Sequence, residues 1–217
     1  MKESIEKKYY LLSASILFCL LILVIFLFLL PKEQAMEIVA EGGVLEICSV
    51  ISYFLSGIIA FYLSKRGVLK DRYLMSFLII ILGLRELDFH KAFTTMSISS
   101  TRYYLSPKVP VLEKLIVAPI ILFILIAIFF FLKKYTLAYI KNLINKTPLA
   151  IIIFPSFLLF MCSKLADSSL SMFRDASLTI TPVMEKTAFI IEESFELGIP
   201  VFFIVGLLYL LETKRTS

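Results

Sequence analysis

Leu11–Leu30 reads LLSASILFCLLILVIFLFLL, twenty residues without a charged side chain. Coiled as an α-helix at 1.5 Å per residue, such a run is about 30 Å long, the thickness of the hydrocarbon core of a bilayer. Leu115–Leu132 (LIVAPIILFILIAIFFFL) is a second run of the same kind, eighteen residues long. These two stretches set the class, and the composition agrees: of 217 residues 59% are hydrophobic and 18% charged, against nearly half and a quarter in soluble domains. Seven Gly and eight Pro exclude a collagen-like or low-complexity chain, and three Cys exclude a disulfide scaffold. Runs this long are not strands, and the alternation of a membrane barrel is absent.

Four shorter apolar runs follow the same grammar: Ile47–Leu63, Tyr73–Leu84, Leu149–Ser163 and Leu197–Leu211. Lys- and Arg-bearing connections separate all six. The expected fold is therefore all-α, a polytopic membrane protein with six transmembrane helices in a single domain, 1–217, with spans at about 9–31, 37–64, 73–93, 112–133, 148–168 and 187–211. The first span is too long for a signal peptide and lacks a small-residue cleavage site, so it reads as a retained anchor.

Orientation follows the bias of basic residues. With the N-terminus inside, the cytoplasmic segments carry thirteen of the 22 Lys and Arg residues and four acids, and the opposite side carries the other nine bases and thirteen acids. One face is +9 and the other −4, which accounts for the net +5 without a nucleic-acid partner. Seven of the ten tyrosines fall near the same cytoplasmic edge. The expected location is the inner membrane of a bacterial cell, multi-pass, with N- and C-termini cytoplasmic. The lipid bilayer is the first partner, and a membrane-protein partner or a homo-oligomer is the macromolecular one. Cys19, Cys48 and Cys162 read as small buried hydrophobes. Lys133–Lys146, which spaces Leu137, Ile140 and Ile144 on one side, either lies along the inner surface as an amphipathic helix or prolongs the fourth span.

The shortness of the other runs carries the functional information. Twelve residues, Tyr73–Leu84, do not cross a bilayer, so the third helix is expected to continue through Arg85-Glu86-Leu87-Asp88-Phe89-His90-Lys91 towards Phe93. The sixth must take in Glu192, Glu193 and Glu196, the fifth must pass Lys164 to Asp167, and Glu37, Glu41 and Glu46 precede the second. Each ionisable group facing lipid at a helix centre costs about 2.5–3.5 kcal/mol. Helices two, three, five and six are therefore expected to enclose a polar cluster in the extracytoplasmic half. On a continuous helix Glu86 and His90 share one face, with Arg85, Asp88 and Lys91 on the other. Glu192 shares a face with Glu196, with Glu193 about 100° round.

Three functions fit such a cluster. The preferred one is binding of a cation, a divalent metal ion or a proton, or of another polar ligand. Glu86, His90, Glu192 and Glu196 lead as metal or cation ligands, with Glu37, Glu41, Asp88 and Asp167 behind them, because carboxylate oxygens suit hard cations and one imidazole widens the choice of metal. Arg85, Lys91, Lys164 and Arg174 tune the charge. A divalent metal ion is the one cofactor these residues invite. The first alternative is a non-catalytic subunit or scaffold with a structural charge network, whose outer face docks a partner. The second is a metal-dependent hydrolase acting on lipid head groups, for which Ser168, Ser169, Ser171 and Ser194 supply hydroxyls.

Overall fold

The computed structural model describes residues 2–40, 42–69, 73–96, 98, 101–175 and 179–215, and side chains for all of these except Lys2, His90, Thr101, Arg102, Ser171, Arg174 and Asp175. The protein is 86% helical, with no strand among the described residues. Among the described residues eight α-helices follow in order: α1 (Lys2–Leu29), α2 (Lys32–Val39), α3 (Val44–Lys65), α4 (Leu74–Glu86), α5 (Thr101–Leu105), α6 (Val111–Ile144), α7 (Pro148–Asp175) and α8 (Pro182–Arg215). A single 3-10 turn, Phe89–Ala92, follows α4. Among the described residues five segments are long and apolar enough to cross a membrane: Glu3–Leu29, Lys32–Lys65, Val111–Ile144, Pro148–Leu170 and Pro182–Arg215. They make this a helical membrane protein in contact with lipid.

Helix α8 is the axis of the bundle. Its glycines let neighbours approach, as small residues do between membrane helices. A Cβ on Gly198 would stand 2.6 Å from Leu159 Cδ1 of α7 and 2.8 Å from Leu20 Cδ1 of α1, and one on Gly206 would stand 2.8 Å from Ile153 Cγ1. On another side α3 packs against α8, with Tyr53 edge-on to Phe203 at 6.4 Å. Helix α1 runs antiparallel to α8. Lys8 and Tyr9 reach Glu212 at 2.7 and 2.9 Å at one end. At the other, Lys186 Nζ donates to the Leu30 and Phe28 carbonyls at 2.7 and 3.1 Å, closing the C-terminus of α1 with a cation. The two ends of the chain therefore lie at the same end of the bundle.

Helix α4 returns along α3. Gly67, at φ +68, ends α3 in a left-handed turn, with Gly67 N–H bonded to Ser64 O and Val68 N–H to Leu63 O. That is the Schellman pattern, and glycine adopts it without a Cβ penalty. Ser76 Oγ then donates to Gly57 O at 2.8 Å across the pair.

Three sequence expectations need correction. The third helix does not run on towards Phe93. It stops at Glu86, because Asp88 takes φ +47 and its N–H bonds Arg85 O, and the 3-10 turn follows. Aspartate is one of the few L-residues that enter this region readily, so at Asp88 local backbone preference outweighs the hydropathy that would prolong the helix. Glu86 and His90 therefore do not share a continuous helical face. Within the candidate span Lys32–Lys65, which is not among these corrections, α2 ends at Val39 and Gly42 at φ +77 separates it from α3. The three cysteines are free and exposed on the surfaces of their helices instead of buried. The open choice at Lys133–Lys146 is decided as well: the segment prolongs α6 in one helix to Ile144.

Candidate functional site

Glu86 closes α4, and its neighbours in space come from two other helices, α3 and α8. One ligand atom each from Glu86, Glu193 and Glu196 fall within 4.8 Å of one another. The side chains of Glu86 and Glu196 are 6% and 9% exposed. Stopping α4 at this point matters, since a helix C-terminus concentrates unpaired carbonyls and is a poor place for a carboxylate by itself. Arg85, one residue earlier, offsets it: its Nη2 lies 3.6 Å from Glu196 Oε1 and 4.0 Å from Glu86 Oε2.

Glu196 is the hub of the cluster. Its Oε1 also accepts from Ser163 Oγ at 2.9 Å and pairs with Lys164 Nζ at 2.9 Å, both on α7. Lys164 extends the network outward, 3.8 Å from Glu192 and 3.5 Å from Asp167. Ser49 of α3, fully buried, is 3.5 Å from Glu86 Oε1. One turn beyond Glu196, Pro200 lies inside α8 and is buried. Having no N–H, it leaves the Glu196 carbonyl without its usual acceptor role in the helix.

Of the residues singled out from sequence, Glu86 and Glu196 meet directly, and Arg85 and Lys164 stand against them. Glu192 joins only through Lys164, and Asp167 is more than half exposed at the margin. Asp88 and Lys91 pair with each other in the turn after α4. Glu37 is exposed on α2, apart from the three carboxylates. Glu41 lies outside the described residues, as do the side chains of His90 and Arg174. Beyond the ligands expected from sequence, the cluster takes in Glu193, Ser49 and Ser163. Glu193 and Glu196 are three apart and share a helix face as well as Glu192 and Glu196 do. The two serines had a signal in being hydroxyls within apolar spans.

The chemistry of this set is narrow. Counting Glu192, four carboxylates face two cations among the described residues, Arg85 and Lys164, so these side chains by themselves carry an excess of negative charge when ionised. Its oxygens are hard donors, suited to a hard cation or to protons. No presented nucleophile accompanies them at Ser169, which donates to the Ala166 carbonyl, or at Ser194, which is fully buried. Compared with known families, curated proteins and solved structures, the chain matches none.

Proposed function

We propose that this chain is a six-span protein of a bacterial inner membrane, termini in the cytoplasm, whose outer-half carboxylate cluster binds a cation: a divalent metal ion or a proton. The observation that carries this reading is the convergence of Glu86, Glu193 and Glu196 within 4.8 Å, from two helices, with only Arg85 and Lys164 as cations against them among the described residues. In a membrane interior such an excess is costly and needs a neutralising partner. The third of these spans, additional to the five long apolar segments, is α4 with its following 3-10 turn. At thirteen residues α4 is about 20 Å long, yet it is paired along α3 through Ser76, Gly57 and Gly83. The antiparallel α1 and α8 and the basic bias of the terminal segments support the orientation.

The test is metal analysis of the purified protein together with thermal unfolding in added Mg²⁺, Ca²⁺, Mn²⁺ or Zn²⁺. At least one ion is expected to raise the transition saturably, by several degrees, and Glu193→Gln combined with Glu196→Gln to abolish the shift. If no ion moves the transition, and Glu193→Gln leaves stability unchanged at every pH, the cation reading fails.

A second reading is favoured by the three donors on Glu196 Oε1, which resemble a structural ion-pair network. On it the protein is a membrane subunit or scaffold, and Glu86→Gln, Glu193→Gln and Glu196→Gln all alter stability without altering ion response. Stoichiometric co-purification of a partner from native membranes distinguishes it.

A further inference from the structure

We propose that the inner third of α6 and its turn into α7 form a binding surface for anionic phospholipid headgroups. This rests on the span and orientation reading above and is independent of the acidic cluster. Helix α6 has 34 residues, so it is about 51 Å long, against a bilayer of about 30 Å of hydrocarbon and 40–45 Å with headgroups. Its charge-free run ends at Leu132, and the next apolar run begins almost at once beyond the turn: α7 starts at Pro148, and Leu149–Met161 (LAIIIFPSFLLFM) carries no charge. An upright α6 would push Ile144, and the apolar start of α7 with it, about 18 Å past the hydrocarbon edge. A tilt of about 30–40° instead fits the whole helix within the full bilayer thickness and runs residues 133–147 through the inner headgroup layer.

The side chains along that path are those a headgroup layer would select. Lys133, Lys134, Lys141 and Lys146 are exposed, and the chain supplies no Asp or Glu between Glu113 and Asp167. Leu137, Ile140 and Ile144 are 78%, 47% and 74% exposed. On the helix they form one stripe with Lys133, bordered by Lys134 and Lys141. Tyr139 lies on the far side, its hydroxyl donating to Ala150 O of α7 at 3.2 Å, so the stripe points away from the bundle. Apolar residues directed at acyl chains, flanked by lysines whose stems reach the phosphates, make an interfacial helix face. With four lysines and no carboxylate, the occupant is a phospholipid of net negative charge, not a zwitterionic one.

The test is lipid titration of the intact protein in neutral detergent, read by native mass spectrometry, with phosphatidylglycerol against phosphatidylcholine. Each lysine is worth about fivefold in affinity near an anionic surface. The wild type is expected to retain phosphatidylglycerol preferentially, and K133Q/K134Q/K141Q/K146Q to bind it about 600-fold more weakly. The four-arginine counterpart should keep the preference, as should the control K65Q/R66Q, which alters exposed bases elsewhere on the same face. If the glutamine variant loses its helical circular dichroism, the wild type in 0.5 M NaCl takes its place, and the preference should fall steeply there. Equal retention of the two lipids overturns the proposal, as does a preference that survives in the glutamine variant. Competition by millimolar inorganic phosphate would also overturn it, since that marks a phosphate site and not a lipid surface.

Discussion

Helices α6 and α8 are the same length, 34 residues each, and each carries an internal proline, Pro119 or Pro200. Their surroundings are opposite. In its most apolar window α6 has mean hydropathy 3.3 and is 6% buried, whereas α8 has 2.0 and is 56% buried. In water the greasier helix would be the core. In a bilayer hydrocarbon solvates leucine as well as a neighbouring helix does, so apolarity no longer drives burial. What draws α8 inward is its glycines, which admit close neighbours, and Glu192, Glu193 and Glu196, which cannot face lipid. Polarity, and not hydrophobicity, marks the centre of this protein.

That contrast can be broken at its strongest point first. Gly198→Leu forces a side chain into the contact with Leu159 and Leu20 and should cost about 3 kcal/mol of stability, seen as a lowered midpoint in detergent or as lost accumulation. A leucine added to α6, as in Ala118→Leu, should leave the midpoint in place; a loss at both sites would mean that α6 is packed as tightly as α8. Lys164→Met removes a partner from Glu196 and Glu192 and should cost about 2 kcal/mol, discounted because Lys164 is 30% exposed. Adding Glu196→Gln should recover part of that loss, a coupling that a double-mutant cycle measures and that no pairing at α6 would reproduce. Smaller is the effect at the turn. Lys146 takes φ +54 at the position that Gly67 fills after α3, with the same bonding, Lys146 N–H to Leu143 O and Thr147 N–H to Asn142 O. Lys146→Gly should therefore stabilise by up to about 1 kcal/mol, while Gly67→Ala should destabilise by a similar amount. Least of all, Phe129→Leu on the exposed face of α6 should stay within about 0.5 kcal/mol.

Much of this was legible in the chain. Length and hydropathy alone mark the spans of α1 and α6, because a run of this length with no charge has one stable environment; the shorter runs in α7 and α8 become spans only with the charged residues that complete them. The gathering of charge at one end of several spans was legible too, through the cost of leaving it in lipid. Where α4 stops was not, since one residue in a left-handed conformation outweighs a hydropathy argument. Nor was the choice of Glu193 over Glu192. Spacing says which residues share a face of one helix, and both glutamates share one with Glu196.

The sequence by itself determined the solvent of this protein and its net charge of +5, because each is a sum over residues that no folding can change. Only the tertiary structure decided that Ser49, Ser163 and Lys164 gather around Glu86 and Glu196, and that α6 stands apart. Those outcomes depend on how each helix is rotated against its neighbours. Rotation is set by glycine contacts such as Gly198 on Leu159, a property of pairs of helices that no single stretch of chain contains.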